Sequence, residues 1–76
     1  MIRKDYILTD HAKLRMKERN ISVKELEEVL ESSDVTYPGR RGVTNIVKEI
    51  KKGRKVRVTY VTERKKKIII TAMLIN

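Results

Sequence analysis

The hydrophobic period of this chain changes once, near Val35, and that change limits what it can fold into. Before it, apolar residues recur every three or four positions; after it they alternate. The first pattern predicts a helix over roughly residues 10–19, following the short apolar entry Tyr6, Ile7 and Leu8. Thr9 or Asp10 can cap it, and Asn20, a residue that tolerates left-handed backbone, can stop it. Ser22 and Glu25 spell a capping box for a second helix reaching about Glu31, with Ile21 and Leu26 at the staple positions. Val23, Leu26, Val29 and Leu30 line one of its sides. Two helices so closely joined form an αα-hairpin.

The second pattern predicts strands. VTYP is a short strand ended by Pro38, and GRRG is a turn or a longer loop. VTNIVKEI alternates, and Gly53 in KKGR suits a tight hairpin. KVRVTYV sets Val56, Val58 and Tyr60 on one face and Arg57, Thr59 and Val61 on the other. ERKKK forms the next hairpin tip. IIITAMLI is apolar on both faces, which suits a central strand or a subunit contact. The expected fold class is therefore α+β, one domain over residues 1–76: an N-terminal helical hairpin packed on a three- to four-stranded antiparallel meander. Neither part can bury its apolar side alone. A one-residue slip would exchange the two faces, so the outward set stays open at this point.

Composition narrows the class. A chain of 76 residues holds one core and buries only about 60% of its extended surface. Without cysteine, disulfides and thiolate metal sites are excluded. No apolar run approaches the roughly 20 residues of a membrane span, and MIRKDYILTD lacks a secretory h-region, so a cytoplasmic protein is expected. The net charge of +9 is unevenly placed: residues 1–21 carry +3, residues 22–36 carry −4 and residues 37–76 carry +10. A basic surface of this kind attracts polyanions, nucleic acid first among them. The absence of Gln and the abundance of Lys, Glu and Ile equally suit a heat-adapted protein with surface ion pairs.

One histidine and two arginines lie four residues apart, at His11, Arg15 and Arg19. At about 100° per residue they border the stripe of Ala12 and Met16 instead of opposing it. Histidine can carry a proton near neutral pH, and arginine grips phosphate oxygens bidentately. With a single histidine, an acid–base partner would be Glu18, Tyr60 or a lysine. The structural alternative is a rim position over the core or an ion pair with the acidic second helix.

The motif H-A-x-x-R-M-x-E-R-x-I-S, read in HAKLRMKERNIS, precedes an apolar-acidic helix and a β-rich remainder ending in IIITA. In these features the chain resembles a small uncharacterised domain family grouped with the RelE/BrnT-like toxin superfamily, over about Tyr6 to Ala72. The resemblance implies a RelE-like fold and an activity like that of ribosome-dependent toxins, which cleave RNA. Those toxins combine basic residues with a Tyr or Arg near the final strand. The last strand here has no ionisable side chain, so equivalent groups fall to Arg57, Tyr60, His11, Arg15 and Arg19.

The turns supply the rest of the expected site. In a meander, Arg40, Arg41, Arg64, Lys65, Lys66 and Lys67 gather at one end, and Lys51, Lys52, Arg54 and Lys55 at the other. A polyanion across the sheet would touch both ends, with Arg57 between them, and would bind in a strongly salt-dependent way. The alternative is that these charges keep the apolar last strand from pairing with other chains. Three tyrosines, with no Phe or Trp, leave little platform for stacking bases. The glycines all fit turns, and one histidine with scattered carboxylates makes no zinc site, so neither cofactor nor metal is expected. The expected function is RNA or other nucleic-acid binding, with metal-independent endoribonuclease activity through His11 as its catalytic form. The competing reading is a non-enzymatic interaction module, either bound by an acidic antitoxin-like protein or forming a homodimer through the last strand.

Overall fold

The computed structural model describes residues 6–75. In chain order the elements are β1 (Tyr6–Leu8), α1 (Asp10–Glu18), α2 (Val23–Glu31), β2 (Val35–Pro38), a 3-10 turn at Arg40–Gly42, β3 (Thr44–Lys51), β4 (Arg54–Glu63) and β5 (Lys66–Ile75). The α+β class and the two consecutive helices match the sequence pattern. The sheet differs: it has five strands in the order β1-β5-β4-β3-β2, and it is mixed where an antiparallel meander of three or four strands was the expectation. The meander β2 to β5 is present, but β1 adds to the outer side of β5 in parallel, pairing Tyr6 with Lys67 and Leu8 with Ile69. Three residues are too few to show an alternating pattern, and their partners lie some 60 positions away. No local signal marks such a strand.

Local chemistry starts both helices. The Thr9 hydroxyl accepts the Ala12 amide at 3.1 Å and donates to the Ile69 carbonyl at 2.8 Å, so the cap of α1 also fastens it to β5. The Ser22–Glu25 capping box is complete in both directions, each bond 3.1 Å long. Asn20 adopts φ 55°, the left-handed stop between the helices. Replacing such a cap by alanine typically costs about 1 kcal/mol.

The helices cover one face of the sheet, α1 over β5 and α2 over β3 and β4. Leu26, Val29, Val56, Val58 and Ile69 are fully buried between the layers, with Ala12, Met16, Ile46 and Ala72 around them. This core settles the register: Val56, Val58 and Tyr60 face the helices, and Arg57, Thr59 and Val61 face away. β5 lies between β1 and β4, the central position that its sequence suited.

Two polar clamps tie the layers together. Tyr6 donates to the buried Glu27 carboxylate at 2.6 Å, and burial together with that carboxylate pushes the Tyr6 hydroxyl from 10.0 up to about 12. Arg54 grips Glu25 at 2.7 and 3.0 Å and reaches the Asn20 carbonyl at 2.7 Å. The guanidinium holds the Glu25 carboxyl below its usual range.

Candidate nucleic-acid interface

The face of the sheet turned away from the helices is uncovered by any other described element. Cross-strand partners share a face, so the register lays it out in rows. Val35, Val47, Arg57 and Met73 form one row across β2 to β5. Tyr37, Asn45, Thr59 and Thr71 form the next. Within the second row the Thr59 hydroxyl donates to Asn45 Oδ1 at 2.6 Å.

Arg57 sits near the middle of this face. Its Nη2 donates to the Met73 sulfur, a weak acceptor, and its Nε is buried without a partner. A buried donor left unmatched costs about 1–3 kcal/mol.

One end of the sheet gathers the turns that bear Arg40, Arg41, Arg64, Lys65 and Lys66, all exposed. Among the described residues none of these five, nor Arg57, forms an ion pair with a carboxylate; the two ion pairs are Arg15–Glu18 and Arg54–Glu25. The backbone there is unusual as well. Arg41, Arg64 and Lys65 all adopt left-handed φ, at 59°, 50° and 68°. The β4–β5 connection is thus a two-residue turn with positive φ at both positions, a shape that favours Asn-Gly. Basic side chains occupy it instead, at a cost that local structure does not explain. Nearby, a Cβ at Gly39 would lie 2.5 Å from Val43 Cγ2 and 2.7 Å from Asn45 Nδ2, so those side chains would have to shift.

A family model described as a domain of unknown function (DUF4258) matches residues 8–74. The chain belongs to the DUF4258 family. No curated protein and no solved structure matches it. The matched span of the DUF4258 domain takes in both helices, the meander as far as Leu74 and every residue of the expected site.

Within this DUF4258 domain the structure divides those residues between the two sides of the sheet. Arg57 lies on the open face, and Arg40, Arg41, Arg64, Lys65 and Lys66 lie in or beside the turns at its end. The helix layer holds the others. His11 is exposed in the first turn of α1 and makes no side-chain hydrogen bond among the described residues. Arg15 pairs with Glu18 at 2.8 Å, one turn along its own helix, not with the acidic α2. Arg19 donates to the Ala72 carbonyl at 3.4 Å. Arg54 is held by Glu25, and Tyr60 is half-buried with the Lys67 ammonium 5.6 Å from its ring centre. The motif on α1 and the open-face cations therefore do not form one site.

Sequence reasoning left out Tyr37. It stands on β2, 37% exposed, in the row with Asn45 and Thr59 and two residues before the Gly39 turn. Its place in VTYP, next to GRRG, was the available signal; only the register shows that it shares a face with Arg57. Among the described residues no three His, Asp or Glu side chains gather as metal ligands, and no helix is long and apolar enough to cross a membrane.

Proposed function

We propose that this domain binds RNA across its open sheet face, anchored by the cationic end and by Arg57. The observation that carries this reading is the lack of carboxylate partners for Arg40, Arg41, Arg64, Lys65, Lys66 and Arg57 among the described residues. Basic side chains kept for surface pairing would sit beside carboxylates; what sets these six apart from other unpaired cations is that they converge on the open face and the turns at its end. Here the carboxylates of α2 lie on the far side of the sheet, where Glu25 and Glu27 already have partners. The resemblance of the N-terminal motif to the RelE/BrnT-like toxins favours RNA over other polyanions. The proposal is for binding alone: His11, Arg15 and Arg19 belong to the helix layer, away from the phosphate-facing cations.

Titrating the protein against a labelled RNA homopolymer at several salt concentrations tests this. Affinity should fall steeply as salt rises, because each phosphate contact releases condensed counterions. A flat salt dependence, or no binding at low salt, would sink the reading.

A further inference from the structure

Resting on the nucleic-acid reading, we infer that Tyr37 is a base-stacking platform and that the strand it accepts is single. Of the three tyrosines, two have other work in the helix layer: Tyr6 holds Glu27, and Tyr60 packs against the core beneath Lys67. Tyr37 is the exposed one, and its hydroxyl makes no hydrogen bond among the described residues.

Its surroundings are those of a stacking site. β2 is the outer strand of the sheet, with nothing described beyond it, and all four of its residues are exposed. A base can therefore approach the ring from the side. Arg40 and Arg41 follow three and four residues later in the same connection, so phosphates next to that base would meet exposed guanidinium groups. Arg57 lies two strand spacings inward, about 10 Å, and one side-chain repeat along, about 7 Å. One flexible strand can touch all three. Asn45 and Thr59 lie between the ring and β5, already bonded to each other, and form a polar floor without charge.

The choice of a single strand follows from the ring. In a duplex the base faces are stacked on one another and unavailable, so a tyrosine adds nothing to duplex binding. In a single strand each unstacked base offers a face, and stacking on an aromatic side chain is worth about 5- to 150-fold in affinity. Phosphate contacts alone would hold both forms.

The test compares a labelled oligouridylate with the matching adenylate–uridylate duplex, by fluorescence anisotropy at one salt concentration. The full chain should prefer the single strand by about tenfold or more. Tyr37→Leu should lose about tenfold on the single strand and nothing on the duplex, with its salt slope unchanged, whereas Tyr37→Phe should keep the wild-type affinity. Unchanged thermal melts of both variants would confirm that the fold is intact, as expected for an exposed edge position. Equal wild-type affinity for the two forms, or a Tyr37→Leu loss shared by both, would overturn stacking while leaving nucleic-acid binding in place. Failure to bind either form would remove both readings together.

Discussion

The two sides of this sheet use the same residue types to opposite ends. On the helix side, four polar groups have found partners: Tyr6 with Glu27, Arg54 with Glu25, Arg15 with Glu18, Arg19 with the Ala72 carbonyl. On the open side, Arg57 keeps an unmatched buried Nε, and the turn cations stand without carboxylates among the described residues. An arginine is structural or available according to what lies within reach of its guanidinium. Arg54 and Arg57, three residues apart on one strand, show both outcomes because alternate positions point to opposite faces.

The sharpest way to break this contrast is to neutralise the cationic end. Changing Arg40, Arg41, Arg64, Lys65 and Lys66 together to Gln should weaken RNA binding about 100-fold or more at moderate salt and flatten the salt slope. Lys13→Gln with Lys17→Gln, on α1, should change it far less; similar losses from both sets would mean that charge acts globally and that the two sides are not distinct.

Stability should separate the sides in the other direction. Tyr6→Phe leaves the Glu27 carboxylate buried without its donor, so denaturant unfolding should show a loss of about 1–3 kcal/mol. Arg57→Leu removes an unmatched donor instead, and unfolding should show no loss, while RNA affinity falls. A large destabilisation by Arg57→Leu would place that residue among the structural clamps.

A smaller effect is expected at the β4–β5 turn. Arg64→Asn with Lys65→Gly relieves two left-handed residues and should raise stability by about 1 kcal/mol, with RNA affinity reduced. A gain in stability with unchanged affinity would show that the strain serves nothing at this site.

The remaining tests concern pH and the α1 motif. Because the Glu25 pKa is lowered in the folded state, the stability it contributes is present above its ordinary range and is lost as pH falls through the lowered value. The Tyr6 pKa is raised, so its contribution is complete below 10.0 and is lost as pH climbs from there to about 12. Thermal melts across pH should show both flanks, and Tyr6→Phe should erase the alkaline one. His11→Ala should leave RNA affinity unchanged within error, because His11 belongs to the helix layer.

Much of the architecture was legible from short-range signals. The capping box at Ser22 and Glu25, the left-handed stop at Asn20 and the glycine turn at Gly53 each involve residues a few positions apart, and each appears where its local chemistry required it. The clustering of Arg40, Arg41 and Arg64–Lys66 at one end was also readable, since a meander places alternate turns together. The β1 strand was not readable, because its partner lies at the far end of the chain. Nor was the division of the candidate residues: Arg54 gave no sign in its own neighbourhood that Glu25, 29 positions earlier, would claim it.

By itself the sequence determined that helices come first and strands after, where each begins and turns, and that the positive charge rides on the strand half. Those properties are carried by bonds and patterns spanning a few residues. The tertiary structure alone decided which face of β4 meets the core, which cations keep their charge available and that Tyr37 shares a surface with Arg57. Each of these depends on residues distant in the chain coming into contact, and the energy that selects them is the burial of Val56, Val58 and Ile69 beneath the helices.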